Sequence, residues 1–296
     1  MGPSVEKFRN YADWKQFSAT KTFAQSRKRA RKVNNNFWFQ LKTQDVYKGR
    51  CTNCETESTF RIDRQHAIPN DLGGLSSLVI RKKINFRERL TCENCHLNQR
   101  MRSNLQVIGS LIDHSKTETI WLQEQLTPFY EILLSRYSIV IGSEFYGPNL
   151  KMGSMYNGVR HEDATSSSFE NDSLSAVLSF DVLEHIPNYR NALTEAHRVL
   201  VKGGLFLWTA PFNLNRERTE TRAKIEDGEI LHLLEPEFHG DPVNPDRGIL
   251  CFQTFGWDVL EDMGSIGFKN VEVIWNNNSS EAILSLENVT IVGYKA

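Results

Sequence analysis

Long apolar runs are absent from this 296-residue sequence. None of its hydrophobic stretches approaches the ~18 residues that a membrane-spanning helix needs. The first ten residues, MGPSVEKFRN, also lack the apolar core of a secretory signal. We therefore expect a cytoplasmic protein with no membrane span.

Glycine is missing from the stretch Thr119 to Pro128, TIWLQEQLTP. A short apolar run in this stretch leads toward a helix that should begin near Pro128, with Thr127 as its N-cap. Many α/β folds place a Gly-x-Gly turn between such a strand and helix, so that backbone amides can approach a pyrophosphate. The absence of glycine argues against a backbone cradle of that kind.

Cysteine is scarce, with five residues, and four of them form two Cys-x-x-Cys pairs. Each pair can sit on a tight turn that points both thiolates at one ion, and two such turns supply the four sulfurs that Zn²⁺ favours. A disulfide framework is the alternative, but it needs an oxidising compartment. We predict a zinc-ribbon-like module over residues 51–105, with strands at TFRID and LVIRKK. Its metal ligands are Cys51, Cys54, Cys92 and Cys95.

The net charge of −1 hides a strong asymmetry. Residues 1–110 carry 21 lysines and arginines against 9 aspartates and glutamates, a net of +12, and the remainder carries 14 against 27, a net of −13. Residues 1–50 are expected to form a basic, aromatic-containing arm that includes the run RKRARK at residues 27–32. Such a run contacts phosphates in some proteins and is merely solvated in others.

From about residue 111, short apolar runs alternate with amphipathic segments. Because strands that alternate with helices form a mostly parallel sheet covered on both faces, we predict an α/β domain over residues 111–296. Gly203 and Gly204 are expected to end the helix that begins near Tyr189. A long insertion at about residues 213–253 should lie over the carboxyl edge of the sheet. The predicted strands are residues 119–122, 138–141, 159–161, 176–180, 205–209, 271–275 and 289–294.

Two segments carry a family resemblance. The run Ser179 to Gly204, SFDVLEHIPNYRNALTEAHRVLVKGG, resembles the fourth strand, following helix and fifth-strand entry of class I S-adenosylmethionine (SAM)-dependent methyltransferases of the type 11-like group. The run Phe255 to Ile274 is similar to the last helix and sixth strand of that family. The resemblance implies a Rossmann-like, seven-stranded sheet that binds SAM.

The cysteine module carries a second resemblance. Cys92 to Arg102, CENCHLNQRMR, is similar to a signature of variant zinc-ribbon methyltransferases, whose catalytic domain begins with a Glu-x-x-Thr-Pro form. Such sequences are known mainly beside polysaccharide and glycosyltransferase genes. The resemblance therefore implies a structural Zn²⁺ and favours a glycan-related acceptor.

The family register implies a set of cofactor-binding residues. Glu144 ends the second strand and should bind the ribose hydroxyls, since one carboxylate can accept two hydrogen bonds. SAM has no pyrophosphate, so the turn can do without glycine, and Glu124 could pair with the cofactor's ammonium group. The expected adenine, helix-cap and methionine-proximal positions complete the set: Glu124, Thr127, Glu144, Asp163, Ala164, Ser179, Phe180 and Asp181.

An alcohol acceptor must lose its proton during or after attack on the methyl group, so a general base is useful. Histidine fits this role because its pKa lies near 6.5. We expect His185, His232 and His239 as catalytic candidates, with His185 at the carboxyl edge where open α/β sheets bind ligands. Similarity to ubiquinone-pathway O-methyltransferases also implies a divalent ion near Asp181, Glu184 and His185.

The sequence is compatible with three alternative functions. The first is O-methylation of a sugar, glycan or small hydroxylated metabolite, with a histidine assisting deprotonation. The second is methylation of RNA held by the basic N-terminal half. The third is a non-catalytic binding protein on the methyltransferase fold, which the absent glycines would permit. The sequence leaves the acceptor and the oligomeric state open.

Overall fold

The computed structural model describes residues 4–40, 46–62, 84–244 and 246–296. Within these ranges no helix combines the length and the apolar character needed to cross a bilayer. The predicted strand LVIRKK lies outside the described residues. The predicted strand TFRID corresponds to Glu57–Ile62.

The described helices, in chain order, are α1 (Tyr11–Ser18), α2 (Lys21–Gln40), α3 (Phe86–Arg89), α4 (Gln99–Leu111), α5 (Pro128–Leu134), α6 (Tyr189–Val199) and α7 (Asp258–Ile266). Single 3₁₀ turns cover Leu183–His185 and Ser279–Glu281. The strands are β1 (Ser4–Phe8), β2 (Val46–Arg50), β3 (Glu57–Ile62), β4 (Leu90–Cys92), β5 (Thr119–Leu122), β6 (Ile139–Gly142), β7 (Met155–Tyr156), β8 (Val159–Arg160), β9 (Leu174–Phe180), β10 (Leu200–Thr209), β11 (Glu220–Thr221), β12 (Ala223–Glu226), β13 (Glu229–His232), β14 (Phe238–His239), β15 (Ile249–Leu250), β16 (Gln253–Thr254), β17 (Phe268–Asn277) and β18 (Val289–Lys295).

The main sheet has seven strands in the order β1-β17-β18-β10-β9-β5-β6. Strands β6, β5, β9 and β10 pair in parallel, and β18 runs antiparallel to β10. The inner strands are apolar on both faces, as expected for a parallel sheet with helices on each side. The predicted α/β sheet of seven strands is confirmed.

The third predicted strand differs from expectation. Val159 and Arg160 pair antiparallel with Tyr156 and Met155 in a two-residue hairpin. Its central residues, Asn157 and Gly158, both have positive φ, at 51° and 79°. Asn-Gly is the preferred pair for such a turn, so this segment forms a local hairpin and does not form a longer strand of the main sheet. An isolated parallel bridge between Glu144 and His161 joins this region to the residues after β6, and the seventh strand of the sheet is the N-terminal β1.

The predicted end of the helix at Gly203 and Gly204 is wrong. Helix α6 ends at Val199, and β10 begins at the next residue. Gly203 has φ of +77°, and the pairing with β9 shifts register between Leu200 and Leu205. Gly203 therefore serves a bulge in the strand, where its positive φ is needed, and neither glycine caps the helix.

Two compact units are present among the described residues. One contains residues 4–6, Lys15–Ile112 and Trp275–Asn288, and it holds the small antiparallel sheet β2-β3-β4. The other contains Lys7–Trp14, Asp113–Ile274 and Val289–Ala296. The sequence-based boundaries at residues 50, 105 and 111 stay predictions. The contacts add the distant segment Trp275–Asn288 to the cysteine-bearing unit.

The described part of the insertion contains three short antiparallel strand pairs, β11 with β16, β12 with β13, and β14 with β15, of which β12 and β13 form a hairpin. Ala223, Leu250 and Phe252 form its small buried core. The backbone amide of Phe252 donates to the Glu184 carbonyl, and the Gln253 side chain donates to the Leu183 carbonyl. These bonds hold the insertion against the segment that follows β9, which is the carboxyl edge of the sheet.

Gly142, at the end of β6, occupies a position that has no room for a side chain. A Cβ there would lie 2.7 Å from a ring carbon of Tyr130 and 3.0 Å from Cγ of Gln125. We expect Gly142→Ala to lower the free energy of unfolding by ~1–3 kcal/mol, as overpacking does elsewhere. Gly264→Ala is the control, because nothing lies within 4 Å of its added Cβ and alanine favours the helix. Thermal unfolding of both variants should give shifts of opposite sign, and a neutral Gly142→Ala would contradict the packing.

Candidate functional site

The turn that lacks glycine is held by a carboxylate. Oε1 of Glu144 accepts hydrogen bonds from the backbone amides of Gln125, at 2.7 Å, and Leu126, at 2.9 Å. Burial raises the pKa of the Glu144 carboxyl, while the two amide hydrogen bonds act in the opposite direction. One oxygen of Glu144, the residue predicted to bind ribose, thus organises the turn.

Gln125 braces the same turn on its other side. Its side-chain carbonyl accepts from the backbone amide of Arg160 at 3.2 Å, and its amide group donates to the carbonyl of Gly158 at 3.5 Å. The side chain of Glu124 is 8% exposed, which places the predicted ammonium partner in the buried part of the turn. Sequence reasoning named Glu124 and Glu144 but missed the bridging role of Gln125.

The helix after the turn begins as predicted. Thr127 is the N-cap of α5, and its hydroxyl accepts from the amide of Phe129 at 3.3 Å. Pro128 occupies the first helical turn, where its missing N–H leaves no hydrogen bond unmade. Thr127 therefore has a clear structural task, and its predicted contact with the cofactor stays a prediction.

The other predicted cofactor residues lie on two neighbouring stretches. Oδ1 of Asp163 accepts from the amide and hydroxyl of Thr165, both at 2.7 Å, and Ala164 lies within this half-buried turn. Ser179 is fully buried near the end of β9, and its hydroxyl has no hydrogen-bond partner among the described residues. The neighbouring Phe180 packs edge to face on Phe129.

Asp181, at the carboxyl end of β9, has an unusual backbone. Its φ of +56° lies in the left-handed region, and its amide donates to the carbonyl of Thr209 at 2.8 Å. Its Oδ1 also accepts from the hydroxyl of Thr209 at 2.9 Å. A strained residue at the end of a central strand is typical of a functional position. The divalent ion predicted near Asp181, Glu184 and His185 stays a prediction.

Two of the three predicted histidines meet beyond this strand. The rings of His185 and His239 are 5.2 Å apart in an edge-to-face arrangement. Nε2 of His185 lies 3.6 Å, and Nδ1 of His239 lies 3.4 Å, from the same oxygen of the fully buried Glu184. The third histidine, His232, is exposed on the β12-β13 hairpin opposite Ala223 and does not join them.

Cys251 joins these histidines, which sequence reasoning did not foresee. Its Sγ lies 3.9 Å from Nδ1 of His185, and one ligand atom each of His185, His239 and Cys251 lies within 4.8 Å of the others. Burial raises the pKa of the Cys251 thiol, but the two imidazoles outweigh it and lower that pKa. We call Glu184, His185, His239 and Cys251 the edge cluster.

The pKa values of the two histidines in the edge cluster are raised, in contrast to that of Cys251. Burial would lower the pKa of His239, but hydrogen bonds with Cys251, Glu184 and Glu237 outweigh it and raise that pKa to about 12. The pKa of His185 is also raised, because Cys251 and Glu184 offset its burial. The edge cluster therefore holds the acidic groups of Glu184 and Cys251 close to the two basic imidazoles in a poorly solvated site.

The four predicted zinc ligands come together in the other compact unit. Sγ of Cys51 lies 3.8 Å from that of Cys95, and Sγ of Cys54 lies 4.0 Å from that of Cys92. A tetrahedral zinc with bonds of about 2.3 Å places its sulfurs about 3.8 Å apart, so the group has the right size for the ion. His96, next to Cys95, is exposed and lies outside this group.

The two cysteine turns share one conformation. The amide of Glu55 donates to the Cys51 carbonyl, and the amide of His96 donates to the Cys92 carbonyl. Both donors have positive φ, at 58° and 59°. Each turn therefore folds its cysteine pair around the same point, which is what a metal with four sulfur ligands requires.

A buried cation accompanies the thiols. Arg102 is 0% exposed, and its guanidinium lies 4.3 Å from the ring centre of Phe60. It donates to the carbonyls of Glu281 and Ala282. Burial lowers the pKa of Arg102, and the four nearby cysteines act against that shift. A group of four thiolates around Zn²⁺ carries two negative charges, so a buried arginine suits it electrostatically.

Comparisons with known proteins agree with this architecture. Residues 127–208 match the family model described as a methyltransferase domain. With the strand order, this match confirms the predicted Rossmann-like class I methyltransferase sheet. It also confirms the predicted class of enzyme, a SAM-dependent methyltransferase. The sequence matches no curated relative.

Several solved structures are similar to this chain. A SAM-dependent methyltransferase from Mesorhizobium loti is 13% identical, with a TM-score of 0.43, over 65% of this chain and 98% of that one. One from Methanosarcina mazei is 13% identical, with a TM-score of 0.39, over 64% and 96%. The 1,6-didemethyltoxoflavin-N1-methyltransferase of Burkholderia thailandensis, solved with S-adenosylhomocysteine, is 12% identical, with a TM-score of 0.39, over 67% and 78%.

Replacing Glu144 with alanine tests the turn. We expect the amides of Gln125 and Leu126 to exchange with deuterium about tenfold faster or more, since a hydrogen bond to a charged group contributes ~1.5–3 kcal/mol. SAM affinity should fall by a comparable factor. Glu131→Ala, at an exposed position of α5, is the control for both hydrogen exchange and calorimetric titration. Unchanged protection of the two amides would show that another group holds the turn.

Proposed function

We propose that this protein transfers the methyl group of SAM to a hydroxyl of a sugar, glycan or other small hydroxylated metabolite. The observation that carries the proposal is the edge cluster, which lies beyond the carboxyl end of β9 in the seven-stranded sheet. SAM supplies its own electrophile, so the protein must align the acceptor, exclude water and help remove a proton. Buried acid and base groups at the ligand-binding edge suit a weakly nucleophilic alcohol.

The chain's own groups divide the work in this proposal. The second oxygen of Glu144 would accept a ribose hydroxyl, while the first keeps the turn in place. Asp163 and Ala164 would contact adenine, and Ser179, Phe180 and Asp181 would line the methionine part. His239 is the more accessible histidine of the edge cluster, with 30% of its side chain exposed against 8% for His185. His239 is therefore better placed to meet an acceptor.

The four thiols of Cys51, Cys54, Cys92 and Cys95 would hold a structural Zn²⁺. Four sulfurs leave no coordination position open, so the ion would stabilise its unit and take no part in methyl transfer. Cys92 also ends β4, and Arg102 donates to the carbonyls of the segment 281–282. Zinc binding would thus couple the two cysteine turns to the rest of that unit.

RNA methylation is a second candidate, favoured by the charge of α2. Arg27, Lys28, Arg31 and Lys32 are exposed on this helix. Exposed basic side chains along one helix can follow a phosphate backbone. In that case binding should weaken steeply as salt is added, whereas methyl transfer to a neutral glycan should not.

Cys92→Ser tests the structural zinc. We expect one zinc per chain fewer than in the wild-type protein and a lower thermal stability, because a structural ion contributes folding free energy directly. His96→Asn is the matched control, since asparagine tolerates the left-handed backbone and His96 lies outside the thiol group. Elemental analysis and thermal unfolding read out both variants. Full zinc content in Cys92→Ser would refute this site.

Incubation with methyl-labelled SAM tests the reaction and its acceptor. We expect label in a carbohydrate or small hydroxylated fraction of a cell extract, in a linkage that resists alkali as an ether does. His239→Gln should lower kcat about 100-fold while SAM affinity stays within about twofold, the usual scale for removing an acid–base group. His114→Gln, at an exposed position, is the control. Label that appears only in RNA, with a steep salt dependence, would favour the second candidate instead.

A further inference from the structure

The edge cluster has the composition of a metal site. Its donors come from three separate elements: His185 from the 3₁₀ turn after β9, His239 from β14, and Cys251 from just after β15. A ligand atom of each lies within 4.8 Å of the others. All three belong to the same compact unit, and none belongs to the group of four thiols. Such convergence of imidazole and thiol donors needs an explanation beyond packing.

The two imidazoles are oriented as metal ligands are. Nδ1 of His185 lies 2.9 Å from the carbonyl oxygen of Leu250, and Nε2 of His239 lies 3.3 Å from a carboxylate oxygen of Glu237. Both of these partners can only accept, so these nitrogens carry the hydrogens. A histidine that binds a metal commonly donates its other N–H to a carbonyl or carboxylate in this way. The remaining nitrogens, Nε2 of His185 and Nδ1 of His239, face Glu184, while Nδ1 of His185 also lies 3.9 Å from Sγ of Cys251.

Glu184 supplies an independent indication of a cation. Its side chain is 0% exposed, and the polar side chains closest to it among the described residues are the imidazoles of His185 and His239. Its Oε1 faces the inward nitrogens of both histidines, at 3.6 and 3.4 Å. A buried carboxylate is costly unless positive charge lies beside it. That charge can come from protons on these two nitrogens or from a metal ion that they bind.

We infer that His185, His239 and Cys251 bind a second Zn²⁺ ion at the carboxyl edge of the sheet, with Glu184 as the adjacent carboxylate. Two imidazoles and one thiolate are a donor set that zinc accepts readily. One thiolate, one carboxylate and the dication sum to zero charge, which suits a buried place. Three protein ligands leave a fourth position open, as in zinc sites that perform chemistry.

The role of this ion rests on the proposed function. The acceptor hydroxyl would occupy the open position, where zinc lowers its pKa, and its proton would pass to Glu184. The oxygen would then form a bond to the methyl carbon while the bond between that carbon and the SAM sulfur breaks. The electron pair of the breaking bond would stay on sulfur. The products would be S-adenosylhomocysteine and the methyl ether. The histidines would thus assist deprotonation as ligands.

Zinc content tests the site without reference to activity. Protein prepared without a histidine tag or chelators should hold two zinc ions per chain. His239→Gln and Cys251→Ala should each hold one, and Cys92→Ser should lose the other ion instead. His232→Gln is the matched control on the same insertion and should keep both. Two substitutions in separate elements guard against a variant that fails to fold, which circular dichroism would reveal.

Some results would overturn the inference. One zinc in the wild-type protein, lost completely in Cys92→Ser, would leave the edge cluster without a metal. Two zinc ions retained in both His239→Gln and Cys251→Ala would place the second ion elsewhere. A different metal lost on these substitutions would refute the choice of zinc. Methyl transfer that persists in zinc-deficient His239→Gln would refute the catalytic role, whereas an inactive protein with two zinc ions would refute only the proposed reaction.

Discussion

The two hydrogen bonds that the Gln125 and Leu126 amides donate to Glu144 are the constraint on which the proposed cofactor site depends. A glycine turn lets bare backbone approach a ligand, and this turn has side chains in place of glycine. Its amides are directed at a protein carboxylate. The groups left to meet a cofactor are therefore side chains and the remaining oxygen of Glu144. A donor without phosphates suits that arrangement better than a dinucleotide does.

Most of the sheet could be predicted because its strands are short, continuous apolar runs. Ile120, Val177 and Leu207 belong to strands that are buried on both faces, and such runs stand out from the amphipathic helices between them. The predictions were wrong where glycine and asparagine in turns or bulges determined the local structure. Asn157 and Gly158 direct a hairpin that the apolar count of residues 159–161 could not show. β1 was also hidden, because an edge strand with polar residues has no strong pattern.

The edge cluster shows what sequence reasoning reaches and where it stops. The position of His185 after a central strand placed it at the carboxyl edge, and the insertion pointed to His239. Cys251 gave no such signal, since a single cysteine in an apolar context is usually a core residue. Its place beside His185, 66 positions away in the sequence, depends on the hydrogen bond from the Phe252 amide to the Glu184 carbonyl, and the short pairing of β14 with β15 brings His239 to the same point. Pairings of that length leave almost no trace in composition or periodicity.

The two candidate metal groups differ in the way their charges are balanced, and this difference separates a structural role from a chemical one. Four thiolates would close the shell of a bound Zn²⁺ and leave a net negative charge, which the buried Arg102 would offset from outside. The edge cluster has one cysteine and the buried carboxylate of Glu184, which faces the two imidazoles. The shell of the proposed ion would have room for one more ligand, and that carboxylate could take up a proton. The first arrangement resists change, whereas the second is suited to exchange a ligand and a proton in each catalytic cycle.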